Sequence, residues 1–272
     1  MVTSIPLRDG TSIPAIGFGV YKVDDAGAET AVGLALDAGY RHVDTAEMYG
    51  NERGVGKAIR ASRLERDDVF VTTKVWNDHQ GRDATLRAFD ASLDRLGLDA
   101  VDLYLIHWPA AANDRYVETW QTLVELRASG RARSVGVSNF QVPHLERIIG
   151  ETGEAPAVNQ VERHPWLPQH ELIAFHQRHG IVTEAWSPLG RGRLVDDPVL
   201  TRIADAHGVS TAQVLVRWNV QQGVVVLPKS VTPSRIRANL DVDGFVLTDD
   251  DLRAIATLES GQRTGSHPDA VA

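Results

Sequence analysis

The 272-residue chain contains no cysteine. Disulfides, thiolate nucleophiles and zinc–thiolate centres are therefore excluded from its chemistry. Long apolar runs are missing as well. No stretch reaches the ~18 consecutive apolar residues of a membrane-crossing helix, and the opening MVTSIPLRDGTSIP has no apolar core of signal-peptide length. A cytoplasmic protein without a membrane partner is the expectation. Positive charge is in deficit: the formal net charge is −8, which argues against general nucleic-acid binding. No low-complexity or linker-like segment interrupts the chain, so a single domain over residues 1–272 is expected. Several catalytic signatures are absent too. The 10 histidines are scattered with no HExxH, no GxSxG elbow occurs, and no metal site is expected.

What is present is alternation. Short β-branched runs recur as AIGFGV, RHVDT, DVFVTTKVW, VDLYLIHWP, ARSVGVSNF, APAVNQVE, GIVTEAWSP and GVVVLPKS. Between them lie stretches of helical periodicity such as AETAVGLALDAG, DATLRAFDASLDRLG and QHELIAFHQRHG, several ending in the glycine that favours a helix C-terminus. Eight short strands alternating with helices in about 250 residues is the pattern of a parallel (β/α)8 barrel. A doubly wound sheet is the competing fold. It wants a complete GxGxxG turn after its first strand, and GFGVYK has two glycines and then no third. Asp9-Gly10 inside the opening segment reads as a hairpin that precedes the barrel and closes its lower end.

Barrel chemistry sits at the C-terminal ends of the strands. The apolar runs end in turn at Asp44, Lys74, His107, Ser138-Asn139, Gln160, Trp186-Ser187 and Lys229-Ser230. Sequential strands are neighbours, so Asp44, Lys74 and His107 converge, and Tyr49 follows Asp44 on a loop that can fold over them. A phenol titrates near ~10. Lowering it by three units requires about 4 kcal/mol. Burial pushes it the wrong way, and a nearby ammonium pulls it down. Lys74 can supply that cation, Asp44 can hold it, and His107 can orient a carbonyl oxygen. Together they read as a proton donor for a carbonyl. Taken singly, each has a blander explanation: Asp44–Lys74 as a buried structural ion pair, His107 as a satisfied core histidine, Trp186 as core. Lys74 as a Schiff-base lysine also stays open. In VLPKSVTPSRIRAN, Lys229, Ser230, Thr232 and Arg235 crowd the last βα junction, where barrels commonly bind phosphate. A solvated basic turn is the alternative.

GFGVYKV, YRHVDTAEMYGNE, VFVTTKVWND, VDLYLIHWP, GVSNF, PAVNQVERHP, AWSPLGRG and VVLPKSVTPSRIRANL resemble, in order and spacing, the aldo-keto reductase superfamily over nearly the whole chain. The resemblance is strongest to the bacterial branch of 2,5-diketo-gluconic acid reductases. It implies an NADP(H)-dependent barrel reductase of aldehydes and ketones with the tetrad Asp44, Tyr49, Lys74 and His107. It further implies that Ser138, Asn139 and Gln160 hold the nicotinamide carboxamide and that Trp186 stacks on the ring. Ser187, Leu189, Gly190 and Gly192 would follow the pyrophosphate. Lys229, Ser230, Val231, Thr232 and Arg235 would surround the 2′-phosphate, with Asn239 on the adenine. Ala238 departs from the Glu or Gln of many relatives and removes an adenine contact. Tyr21, Trp76, His107, Trp108, Phe140 and Trp166 are the expected substrate rim. A monomer is expected. The superfamily also includes cofactor-binding adaptor subunits, which remain the non-enzymatic alternative.

Overall fold

The computed structural model describes residues 3–271. Ten strands are formed: β1 (Ser4–Pro6), β2 (Ser12–Pro14), β3 (Phe18–Gly19), β4 (His42–Asp44), β5 (Phe70–Val75), β6 (Val101–Ile106), β7 (Ala132–Ser138), β8 (Val158–Glu162), β9 (Val182–Trp186) and β10 (Val225–Val226). Ten α-helices accompany them: α1 (Asp25–Ala38), α2 (Glu52–Ala61), α3 (Arg82–Leu96), α4 (Tyr116–Ala128), α5 (Val142–Thr152), α6 (His170–His179), α7 (Pro198–His207), α8 (Thr211–Val220), α9 (Pro233–Leu240) and α10 (Asp249–Ala256). The order β3 to β10 around one 8-stranded sheet follows the chain, and every neighbouring pair is parallel. The seam closes through Ile16 bridging Val226 in parallel. Gly17 N donates to Val226 O at 2.9 Å, and Val226 N donates to Ala15 O at 2.9 Å. This is the (β/α)8 barrel expected from the alternation.

The first and last strands are shorter than their apolar runs. AIGFGV contributes a two-residue strand and one bridge. GVVVLPKS contributes two residues, so Lys229 stands in the loop beyond β10 rather than at its tip. Pro228 has no N–H to continue the ladder. Glycines 39, 97 and 180 end α1, α3 and α6 in the left-handed conformation.

The antiparallel pair β1–β2 turns at Asp9-Gly10. Asp9 Oδ1 accepts from Thr11 N at 3.1 Å, and its Oδ2 accepts from Ser134 Oγ of β7 at 2.5 Å. Leu7 and Ile13 then pack on Leu103, Leu105, Val158 and Val225, all buried inside the barrel. The hairpin is thus an apolar plug at the end of the barrel opposite the strand C-termini. Above it the interior changes character. His42, Asp44, Thr72, Lys74, Gln160 and Glu184 are all buried polar groups. The dry floor is apolar and the layer over it carries charge, so every one of those groups needs a partner within the barrel.

Helices pack outside, with some contacts close enough to demand glycine. A Cβ on Gly56 of α2 would lie 1.9 Å from the Leu96 carbonyl oxygen that ends α3. Because the obstacle is backbone, the helices must separate to accept it. Gly56→Ala is expected to destabilise the fold by about 2–3 kcal/mol, at the upper end for overpacking, and to lower Tm by roughly 5–10 °C in a domain of this size. Thermal unfolding followed by circular dichroism checks this; an unchanged Tm would mean that α2 does not cross α3 so closely.

Candidate active site

The ammonium of Lys74 is completely buried, and all three of its hydrogens are placed. Nζ donates to Asp44 Oδ1, to Asp44 Oδ2 and to the carbonyl oxygen of Thr45, each at 2.8 Å. A fully desolvated cation is tolerable only with such saturation. It also fixes the end of β4 against β5.

Tyr49 is delivered by the loop after β4. Residues Glu47–Tyr49 form a 3₁₀ turn that Gly50 terminates in the left-handed conformation. Glu47 Oε2 accepts from Trp76 N at 3.1 Å and Oε1 pairs with His79 Nδ1 at 2.7 Å, which ties this turn to the end of β5. Asn51 then staples the chain. Its Oδ1 accepts from Thr45 Oγ1 at 2.7 Å, and its Nδ2 donates to the carbonyls of Val20 at 3.0 Å and Val23 at 2.8 Å. Glu52 is buried and accepts from Thr73 Oγ1 and Arg95 Nε, both at 2.6 Å. Held this way, the Tyr49 ring has Lys74 Nζ 5.2 Å from its centroid and His107 edge-on at 5.6 Å. The tetrad converges.

Its electrostatics differ from expectation. Burial, followed by Asp44, Tyr21 and Glu184, pushes the Tyr49 phenol well above its ordinary value. The charge of Lys74 is countered by Asp44, and Asp44 itself pushes the phenol up. His107 is pushed well below the usual imidazole range by burial and by Lys74, so it is neutral near pH 7. With its proton on Nε2 it can donate a hydrogen bond without adding charge.

Two further titratable groups lie below the tetrad. Gln160 Nε2 donates one hydrogen to Asp44 Oδ2 and the other to Glu184 Oε2, both at 2.8 Å. Glu184 is fully buried, and its Oε1 stands 3.7 Å from His42 Nε2 without a hydrogen-bond partner. Burial and Asp44 push its carboxyl up to about 8. His42, bonded to Thr72 Oγ1 at 3.0 Å, is pushed down to about 3 by burial and Lys74. One ammonium and two carboxylates share this dry layer, and one carboxyl keeps its proton.

A cleft of about 870 Å³ opens over the tetrad. Its wall includes Tyr21, Asp44, Tyr49, His107, Trp108, Ser138, Asn139, Gln160, Trp186, Ser187, Leu189, Gly192, Lys229, Ser230, Arg235, Ala238 and Asn239. Trp186 Nε1 donates to Asn139 Oδ1 at 2.8 Å, and Asn139 Nδ2 donates to His107 O at 2.9 Å and Ser138 Oγ at 3.1 Å. Ser138 Oγ donates to Gln160 O at 2.9 Å. Among the described residues neither Lys229 nor Arg235 makes an ion pair with protein. Lys22 and Arg191 also line the cleft; they fall within GFGVYKV and AWSPLGRG but were given no role there. Of the seven non-glycine residues in the left-handed region among the described residues, four are on this wall: Lys22, Asn139, Ser187 and Arg191.

Other expected residues lie elsewhere. Phe140 is a correction: it is fully buried and edge-on to Tyr116 and His144, at 5.5 and 5.8 Å, away from the cleft. Asn139 and Phe140 are adjacent in the chain and face opposite ways. Trp76 stands behind the wall, edge-on to His107 at 5.2 Å. Trp166 packs on the cluster around Leu194 and Trp218. Gly190 is buried and backed by Leu194. Val231 is exposed, and Thr232 precedes α9 as its N-terminal cap residue. The roles of Asn51, Glu52 and Glu184 were not read from the sequence. The NE pair directly after Tyr49-Gly50 was a usable signal; Glu184, inside an apolar strand, gave only its own oddity.

Residues 15–260 match the family model described as the Aldo/keto reductase family. An aldo-keto reductase of Mycolicibacterium smegmatis is 54% identical over 268 residues, covering 98% of each chain. A protein named methylglyoxal reductase DkgA from Escherichia coli K12 is 46% identical over 269 residues, covering 98% of this chain and 97% of that one. A crystal structure of a Gox0644 mutant in complex with NADPH superposes with a TM-score of 0.96 at 47% identity, covering 100% of this chain and 99% of that one.

The Glu184 carboxyl makes a pH prediction. Unfolded it titrates at 4.5, and folded it titrates at about 8. Between those values the folded chain holds a proton that the unfolded chain has lost, so this group's contribution is complete below 4.5 and disappears as pH rises through 8. Glu184→Gln keeps the shape and removes the titration. Its Tm relative to wild type should therefore rise between pH 5 and pH 8.5, by at least about 5 °C. His42 titrates in both proteins and cancels in the difference. A Tm difference independent of pH would show that Glu184 is ionised throughout.

Proposed function

The chain belongs to the aldo/keto reductase family, and from that premise we propose which residues carry its NADPH-dependent reduction of aldehydes and ketones to alcohols. The observation that supports the assignment best is one cleft walled both by Tyr49 and His107 and by the unpaired cations Lys229 and Arg235. Its size is at the upper end for small-molecule sites, and its two kinds of wall suit a cofactor with a phosphate at one end and a reacting ring at the other. NADPH supplies the hydride.

Tyr49 supplies the proton. A phenol held above its ordinary pKa stays loaded at every physiological pH. It remains a competent donor, because hydride arrival turns the carbonyl oxygen into an alkoxide, a far stronger base than a phenolate. Lys74, held by Asp44, stabilises the phenolate as it forms. His107 orients the carbonyl oxygen. Solvent returns the proton to Tyr49, so one hydride and one proton convert carbonyl to alcohol. The competing Schiff-base role needs a neutral, exposed amine, and Lys74 has neither property. An adaptor subunit would not require the four groups together.

For the cofactor we assign Ser138, Asn139 and Gln160 to the carboxamide and Trp186 to the nicotinamide face. Gln160 has both amide hydrogens engaged, which leaves Oε1 as the acceptor for the carboxamide N–H. Ser187, Leu189 and Gly192 follow the pyrophosphate, with Gly190 shaping that loop. Lys229, Ser230 and Arg235 take the 2′-phosphate, with Val231 and Thr232 as its outer edge and Asn239 near the adenine. Tyr21 and Trp108 flank the carbonyl substrate, with Trp76 supporting His107. The whole site lies within one barrel domain, residues 1–272. No second copy is needed to complete the cleft, so we take the protein to act as a monomer, in the cytoplasm where NADPH is plentiful. The name of the DkgA relatives puts α-dicarbonyls among the substrates to assay.

Tyr49→Phe keeps the ring and deletes the transferred proton. It should lower kcat by roughly 10²–10⁴ while calorimetric NADPH affinity stays within about threefold. Near-wild-type turnover would remove Tyr49 from the role.

Cofactor preference tests the cationic wall separately. NADH offers Lys229 and Arg235 a hydroxyl in place of a phosphate. Charge-assisted contacts of roughly 1.5–3 kcal/mol each, discounted for exposure, predict kcat/KM at least about tenfold higher with NADPH. The ratio should narrow at raised salt. Arg235→Ala should cut it most, since a guanidinium can pair with two phosphate oxygens. Equal use of both cofactors by the wild type would overturn the phosphate assignment and leave the tetrad untouched.

A further inference from the structure

The carboxyl-terminal segment after α10 returns across the ends of β8 and β9. It is anchored first at Trp166, whose carbonyl oxygen accepts from Ser260 N at 3.2 Å and Gly261 N at 2.9 Å. It is anchored again at Glu162, the last residue of β8 and a fully buried carboxylate. Glu162 Oε1 accepts from Thr264 N and Thr264 Oγ1, both at 2.5 Å, and from Gly265 N at 3.2 Å. Oε2 accepts from Gly265 N at 3.2 Å, and Arg263 Nη1 stands 4.0 Å away. His164 Nε2 lies 3.0 Å from Oε1 on the other side. A buried carboxylate with several strong donors makes a rigid anchor.

What the anchor positions is Gly265. A Cβ there would lie 2.5 Å from Trp186 Cη2, 3.2 Å from its Cζ3 and 3.4 Å from Arg191 Nη2. The glycine backbone therefore lies directly against the Trp186 ring. Its φ is not in the left-handed region, so the contact, not the backbone conformation, requires glycine. Trp186 is held from another side by Asn139. Residues 263–265 are not on the cleft wall themselves, and the atoms a Gly265 Cβ would crowd belong to Trp186, with Arg191 only at ordinary contact distance.

We propose that Glu162 and Gly265 are positioning residues for the cofactor, the carboxylate anchoring the tail and the glycine backing Trp186 so that its indole is fixed before NADPH arrives. This rests on the reading that Trp186 stacks on the nicotinamide. A ring fixed beforehand loses less freedom on binding, and that difference is affinity. Both residues lie outside the catalytic tetrad and outside the phosphate wall. Their effect is the same for every cofactor form that shares the nicotinamide ring.

The test is calorimetric titration of NADPH and NADH into wild type, Trp186→Ala, Gly265→Ala, Glu162→Gln and the double variant Trp186→Ala/Gly265→Ala. Gly265→Ala is expected to weaken both cofactors by the same factor, about three- to tenfold, the range of one aromatic contact. Glu162→Gln, which turns amide hydrogens toward the tail donors, should weaken both similarly. In the Trp186→Ala background Gly265→Ala should have no further effect, because the two act through one ring. A full additional loss in the double variant would overturn the proposal, as would Gly265→Ala and Glu162→Gln binding like wild type while Trp186→Ala binds weakly. If Trp186→Ala itself leaves affinity unchanged, the stacking reading fails and takes this inference with it. Should Glu162→Gln not fold, the Gly265 cycle decides alone.

Discussion

The ammonium of Lys74 is the constraint on which the rest of the site depends. It sits at zero exposure inside the barrel, and an ion so placed is stable only if its charge is countered and its hydrogens are accepted. Asp44 and the Thr45 carbonyl do both. That requirement propagates. Asp44 must be ionised to do so, and with only one cation present Glu184 keeps its proton. The same cation helps keep His42 and His107 neutral. The Tyr49 ring is left beside a positive charge that is already engaged. The polar interior is therefore a single charge-neutral unit.

That unit needs a dry floor. The β1–β2 hairpin provides it, tied to β7 through Asp9 and Ser134 and contributing Leu7 and Ile13. The upper end is open, and there the chain supplies the Tyr49 loop with its own fixings through Glu47, Asn51 and Glu52. The barrel thus joins a packed apolar end to a polar end whose geometry is set by hydrogen bonds rather than by packing volume.

Much of this was legible in the sequence because period and punctuation were consistent. The eight apolar runs and the Asp9-Gly10 turn located the barrel, and the residues ending each run marked the rim where the cleft opens. Residues that end a strand, such as Asp44, Ser138 and Trp186, could be placed by counting. What could not be read is what depends on direction or on distant partners. Phe140 follows Asn139 immediately, and only the turn between them decides which one sees the cleft. The burial that leaves the phenol raised rather than lowered, and the Thr45 carbonyl that takes the third Lys74 hydrogen, depend on tertiary packing that sequence does not advertise. Glu184 looks like an intrusion in GIVTEAWSP until Gln160 and Asp44 are seen beside it. Glu162 meets Thr264 across more than a hundred residues, and no local pattern joins them.

Four left-handed residues on the cleft wall have a consequence for how this protein can change. Lys22, Asn139, Ser187 and Arg191 each hold a backbone conformation that disfavours a side chain by roughly 1–2 kcal/mol. Glycine at any of them would relieve that strain, so thermostability alone would select for it. Yet each residue is part of the wall, and Asn139 is hydrogen-bonded to Trp186. At these positions stability and the definition of the cleft wall pull in opposite directions. An engineer seeking a hardier variant would gain more safely at the helical exterior, since glycine at the rim would yield a sturdier barrel with a less defined mouth.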